Sequence, residues 1–399
     1  MNLTLDEQAM LDGQDGPAVQ KAMRILVALG TIYAAEALLP VSSVQISGVS
    51  YDNLGEAGLA FLSEMAGGGG KARVLTTLNP AGMDIENPAS LGISAEFAEK
   101  QARVIEAFTR MGVIPTCTCT PYLAGNTPAF GDTIAWAESS AVAYANSVIG
   151  AHTNREGGPS ALAAALTGRT PAYGYHLEPN RRPGVTFAVQ TQLDGTHEFG
   201  ALGKAMGEAL EKQAHRPVPY ILGVSSATLE ELKSFCASLA TYGGAALFHM
   251  AGVTPEASRY APPGEPIAIR RADIDAALDS LSNATTSEVD FVSLGCPHLT
   301  IQEIARIAQL LAGRQVKREF WITTSRPVRQ LADRLGYAAI IEASGAKFAT
   351  DTCCVVAPIA GRFRALATDS AKACYYAAAK NKEKVRLLPF DQVVLEALR

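Results

Sequence analysis

The sequence predicts an α/β protein built from several βαβ-based parallel or mixed sheets flanked by helices. Two observations carry this. Apolar runs of strand length, such as "ARVLTTL" at 72–78 and "VDFVSL" at 289–294, alternate with amphipathic stretches of helix length, and that alternation is the mark of βαβ units. The polar clusters best suited to chemistry also fall just after the strands, where an open parallel sheet gathers its ligands.

Taken in order, Thr4 with Glu7 forms a capping box for a first helix. Asp15-Gly16-Pro17 opens a second that runs to Gly30. A buried strand at 72–78, a helix at 94–111 and a strand at 113–119 follow. In the block "GDTIAWAESSAVAYANSVIGAHTNREGGPSA", Gly131 to Ala161, Asp132 is expected to cap a helix reaching Ile149. That helix is apolar on nearly every side and therefore central. Further strands are expected near 220–224, 245–249, 289–294, 319–323 and 346–351, with helices at 228–242, 300–311 and 327–335 between them. The proline-rich segments 178–184 and 261–266 read as linkers. They divide the chain into an N-terminal α/β domain with buried central helices (1–180), a small α/β domain (181–265) and a C-terminal α/β domain (266–399).

The 399 residues are 48% hydrophobic and 18% charged with a net charge of −5, an ordinary globular balance with no drive toward nucleic acid or an anionic membrane. The longest apolar run, 25–41, is broken by Gly30, Glu36 and Pro40, so no membrane span is expected. The polar, acidic start is unlike a secretory signal. Seven cysteines, an odd number in a large chain, point to reduced thiols in the cytoplasm.

Three of those cysteines stand at predicted strand ends: Cys119 in "PTCTCTPY", Cys296 in "SLGCPH" and Cys353 in "ATDTCC". Thiols delivered by separate strand ends could meet at one site. The alternative is that each is a small buried hydrophobe, and the absence of any CxxC excludes a local zinc knuckle or ferredoxin-type pattern. Other polar residues compete for roles. Glu138, Ser139, Ser140 and Asn146 lie within the apolar block, with Ser139 and Asn146 on one helical face. Arg155, beside Asn154 and ahead of a helix start at Pro159, suits a carboxylate or phosphate. Equally, such groups could simply pair with each other inside the core. "GGGGKA" at 67–72 lacks the residues of a phosphate loop and precedes its strand, so it reads as a connector. The six histidines show no metal-binding pair, and Lys372 in "DSAKA" reads as either an anion contact or a solvated lysine. No GxGxxG follows a strand, which removes a nucleotide-dependent dehydrogenase.

The motifs "TTLNPAGMD", "TCTPYL", the whole 131–177 block, "SLGCPH", "DTCCVVAPI" and "DSAKACYY" occur in this order. Together they resemble the large subunit, or large-domain portion, of the aconitase X enzymes. The resemblance implies an aconitase-superfamily fold with its site at strand carboxyl ends between domains, and a hydro-lyase that dehydrates a small hydroxy acid. The known activities of that family are dehydration of cis-3-hydroxy-L-proline and of 5-phosphomevalonate. It further implies an iron–sulfur cluster on Cys119, Cys296 and Cys353, expected as [4Fe-4S] with one open iron, although a smaller cluster is compatible. The chain stops at Arg399 without the swivelling domain of fused relatives. A small swivel-domain subunit supplying a catalytic serine is therefore the expected partner. Gln45 departs from the family, whose members often carry histidine in this segment.

On this basis Glu138 is expected as a buried neutral acid for the departing hydroxide. Ser139, Ser140, Asn146, Asn154, Arg155 and Lys372 are expected to bind substrate. Dedicated phosphate sites cluster basic residues, and here only Arg181 and Arg182 offer that, so cis-3-hydroxy-L-proline is the expected substrate. A non-catalytic iron–sulfur or metabolite-binding module is the reading from another class.

Overall fold

Parallel strands make up three of the four sheets in this chain, whose computed structural model describes every residue except Ala214. The first parallel sheet has three strands, in the order Leu75–Leu78, Ser43–Ile46, Ala135–Trp136. The second has four, in the order His249–Met250, Pro219–Leu222, Val185–Val189, Ile267–Ile269. The third has five, in the order Lys347–Thr350, Glu319–Thr324, Phe291–Leu294, Ala365–Thr368, Lys384–Leu387. A short antiparallel pair, Leu38–Pro40 with Arg169–Pro171, closes the first region. Helices cover both faces of these sheets, which is why strands such as "FVSL" and "ALAT" are buried throughout rather than alternating.

In each parallel sheet the chain builds outward from one strand, then returns to that strand's other side. The reversal lies between Phe291–Leu294 and Ala365–Thr368 in the third sheet, and between Ser43–Ile46 and Ala135–Trp136 in the first. At such a reversal the following connections leave in opposite directions and open a crevice at the carboxyl ends.

The expected capping box forms, with Thr4 N donating to Glu7 Oε2 at 2.9 Å and Glu7 N to Thr4 Oγ1 at 3.3 Å. The predicted helices at 94–111, 228–242, 300–311 and 327–335 appear as Ala95–Arg110, Leu229–Tyr242, Ile301–Leu311 and Arg326–Arg334. Four expectations are corrected. The segment 113–119 is no strand. It runs beside Leu75–Leu78 with isolated bonds such as Thr118 N to Leu78 O, and Cys117 at φ 43 turns the chain out of extended geometry. Asp132 caps no long helix; it accepts from Ala129 N, and the helix begins at Ser139 with Glu138 as its cap. The strand expected at 245–249 is confined to His249–Met250. The 265/266 boundary falls inside the four-stranded sheet, because Ile267–Ile269 pairs with Val185–Val189 and the helix Arg271–Ser280 packs on the same layer.

Several helices went unread in the sequence, among them Tyr51–Gly67 and Gly195–Glu211. Tyr51–Gly67 is interrupted by Gly55 at φ 59. Gly195–Glu211 carries glycines that lower its intrinsic propensity. There the packing overrides propensity. A Cβ on Gly203 would stand 2.8 Å from Leu239 N, and one on Gly207 2.7 Å from Gly243 N, so only glycine admits this close approach of the helix Leu229–Tyr242. Among the described residues, no helix is long and apolar enough to cross a membrane.

The supposed linker 178–184 holds Arg181, which is fully buried. Its guanidinium donates to Glu256 Oε2 at 2.6 Å, to Asn146 O at 3.0 Å and to Tyr175 O at 3.1 Å. Burial alone would push the Glu256 carboxyl up, but the hydrogen bonds from His152 and Arg181 and the Arg181 charge hold it at about 2. Glu256→Gln strands the buried arginine and should cost about 3–5 kcal/mol in urea unfolding. The folded carboxyl lies below its ordinary 4.5, so its contribution is present above that pH and is lost as pH falls toward 2. The Gln variant should show a shallower loss of stability across that acid window.

Candidate functional site

The carboxyl ends of the first and third sheets meet. Asn79 follows Leu75–Leu78 and Glu138 follows Ala135–Trp136, while Cys296 follows Phe291–Leu294, Cys353 follows Lys347–Thr350, and Ser370 and Lys372 follow Ala365–Thr368. Backbone contact seals the junction, with Ala81 N donating to Asp351 O at 2.8 Å.

At the centre Lys372 Nζ donates to Glu138 Oε1, and both side chains are about nine-tenths buried. Asn79 Nδ2 donates to Glu138 Oε2 at 2.7 Å, and the Ser140 hydroxyl and amide donate to Oε1 at 3.1 and 3.4 Å. Ser139 Oγ lies at 3.5 Å from the same oxygen. Gln45 Oε1 accepts from Glu138 N at 3.3 Å, and its Nε2 donates to Thr118 O at 3.0 Å. Burial by itself would raise the Glu138 carboxyl. The Lys372 charge and the bonds from Lys372, Asn79 and Ser140 outweigh it and hold the group at about 2. Glu138 is thus an ionised carboxylate, which corrects its expected role as a neutral acid. Burial works against the Lys372 ammonium too, yet Glu138 raises its pKa, so this lysine is not the solvated one.

Around this pair stand the three thiols. Cys119 and Cys353 are buried and Cys296 is partly open, and all three feel the charges of both Glu138 and Lys372. Desolvation raises each thiol, Cys296 to about 12, so each is a neutral S–H unless a cation takes its proton's place. Among the described residues their sulfurs are not part of any set lying wholly within 4.8 Å. One tetrahedral zinc, with sulfurs at about 2.3 Å, would hold them about 3.8 Å apart. His298 N donates to Cys119 Sγ at 3.2 Å. Among the described residues Thr352 Oγ1, next to Cys353, is buried without a partner, as is Asn79 Oδ1 beside Glu138. All seven cysteines are free, and Cys117, Cys236, Cys354 and Cys374 are wholly buried.

Two expected substrate contacts are corrected. Asn146 is enclosed, donating to Thr153 O and Ala246 O at 2.9 Å while its oxygen accepts from Thr153 N and Arg181 Nη1. Asn154 ties Tyr173 O to Tyr175 N. These amides brace loops, as buried polar groups usually do. Arg155 is exposed, just ahead of the helix Gly158–Thr167. Among the described residues one set of metal-ligating atoms does lie within 4.8 Å, His152 with Glu178 and Glu256, but Arg181 and Arg259 already neutralise its carboxylates. Sequence reasoning missed Asn79 and His298 as site residues, although both sit inside the quoted motifs "TTLNPAGMD" and "SLGCPH".

Models of the aconitase X first, second and third domains match residues 1–179, 183–279 and 289–399. The chain belongs to the aconitase X family. A solved structure of Thermococcus kodakaraensis aconitase X in its holo-form superposes with a TM-score of 0.92 at 42% identity, over 100% of both chains. A phosphomevalonate dehydratase large subunit from Methanothermobacter thermautotrophicus is 46% identical over 93% of this chain and 92% of its own. A cis-3-hydroxy-L-proline dehydratase from Pseudomonas aeruginosa is 34% identical over 93% of this chain but 65% of its own. Aconitase X relatives are hydro-lyases, and this chain shares their reaction class.

In this aconitase X chain, Glu138→Gln or Lys372→Met alone leaves a buried charge unpaired and should cost about 3–5 kcal/mol. The double variant should cost less than the sum, by on the order of 0.5–3 kcal/mol. Chemical denaturation of the four proteins checks this; strictly additive losses would show that the two charges do not support each other.

Proposed function

We propose that the chain is the large subunit of a two-chain iron–sulfur dehydratase acting on phosphomevalonate. The observation that carries the chemistry is the convergence of the Cys119, Cys296 and Cys353 loops on His298, within electrostatic reach of the buried Glu138–Lys372 pair. The residues present fit an iron–sulfur cluster. Three thiols come from separate loops, and all three feel the same buried charge pair. The unpartnered Thr352 hydroxyl beside Cys353 is a donor suited to a thiolate or sulfide. When bound, a cluster held by only three cysteines would supply an open iron that polarises the substrate's hydroxyl and carboxylate oxygens.

The chain's own part is to bind and orient. Lys372 uses one of its three N–H groups on Glu138, and its charge suits a substrate carboxylate. Glu138, ionised and fixed by Asn79, Ser139 and Ser140, holds that ammonium in place and is no proton donor. Asn79 Oδ1, still unpartnered, accepts from a substrate O–H or N–H. Arg155, exposed at the start of the helix Gly158–Thr167, suits an outlying anion such as a phosphate. Proton removal beside the carboxylate is assigned to a serine of a small partner subunit. The "large subunit" in the names of the relatives supports that partner.

The substrate assignment departs from the sequence-based expectation of cis-3-hydroxy-L-proline. Relatives named phosphomevalonate dehydratase large subunit match 92–95% of their own length at 44–46% identity in four cases, whereas the hydroxyproline enzymes are longer chains at 34%. One observation favours the hydroxyproline reading: Arg181, a candidate for phosphate, is locked by Glu256. Co-expression with the small subunit and anaerobic assay of both compounds decides. Water should be lost from phosphomevalonate, and Cys119→Ala, Cys296→Ala and Cys353→Ala should each lose iron and turnover. Turnover of the hydroxyproline alone would reverse the substrate assignment.

A further inference from the structure

We infer that His298 is the positioning residue that sets the spacing of the three thiols, an inference that rests on their assignment as cluster ligands. His298 is fully buried and touches all three cysteine loops. It lies two residues after Cys296 in its own loop. Its backbone N–H donates to Cys119 Sγ at 3.2 Å. Its Nδ1 lies 3.0 Å from Thr118 Oγ1, beside Cys119, and its Nε2 lies 3.0 Å from Thr352 O, beside Cys353.

The partners dictate the ring's protons. A carbonyl only accepts, so Nε2 carries the hydrogen toward Thr352, and Nδ1 is left to accept from the Thr118 hydroxyl. Thr118 is fixed in turn, its oxygen accepting from Thr120 N at 3.1 Å. The fourth support comes from the second sheet's layer. Lys233 Nζ, on the helix Leu229–Tyr242, donates to His298 O at 2.8 Å and to Glu303 Oε2 at 2.6 Å. One imidazole and its own peptide therefore link loops drawn from the first and third sheets, with the second sheet's helix holding them from behind. Groups that orient metal ligands in this way typically contribute about 10–100-fold in metal retention.

The test has two arms. In the reconstituted protein, His298→Ala should speed iron loss to a chelator by about 10–100-fold, followed by the visible absorption of the cluster. His298→Gln, which keeps a donor for Thr352, and Thr118→Val, which removes only the Nδ1 contact, should each fall between the two. In the metal-free protein, His298→Ala should accelerate alkylation of Cys119 and Cys353, read peptide by peptide by mass spectrometry, with the circular dichroism of the wild type retained. Wild-type iron loss and wild-type alkylation in a folded His298→Ala chain overturn the inference. Should that variant fail to fold, unchanged values in both His298→Gln and Thr118→Val overturn it equally. A wild type that takes up no iron, or cysteine variants that keep it, would instead sink the ligand assignment, and the alkylation arm still decides the role of His298.

Discussion

Two opposite charges, Glu138 and Lys372, stand 234 positions apart in the chain and meet where almost no water reaches. Taking either ion out of water costs several kcal/mol, and the attraction repays this only with good geometry and satisfied remaining bonds. Asn79 and the Ser140 hydroxyl and amide supply that satisfaction for the carboxylate. The pair is therefore stable only when the first and third sheets are docked with their carboxyl ends together. Docking the sheets and assembling the site are one event.

The same constraint shapes the thiols. A sulfur buried this deeply stays protonated on its own, while a bound cation favours the thiolate. A lysine ammonium within range of all three thiols lowers the cost of that conversion. Under the proposed function, protein charge, metal affinity and substrate recognition would share one small volume, as is usual where perturbed groups gather.

Much of the architecture was legible because its causes are local. Periodicity and caps placed Ala95–Arg110, Leu229–Tyr242 and Ile301–Leu311 within a residue or two. What failed had non-local causes. The glycine-rich helix Gly195–Glu211 exists because a neighbouring helix approaches too closely for any Cβ. The segment before Cys119 looks like a strand by composition, but it follows the sheet edge without joining the ladder. Asn146 and Asn154 had the composition of a binding site and turned out to brace loops.

By itself the sequence determined the α/β class and the place of many of the helices and of several parallel strands, since periodicity is written along the chain. Tertiary structure alone decided that Glu138 is ionised, that Arg181 is spent on Glu256, and that His298 joins the cysteine loops. The reason is physical. A titratable group's state depends on desolvation and on the charges beside it, and in this protein those charges arrive from segments tens to hundreds of residues away.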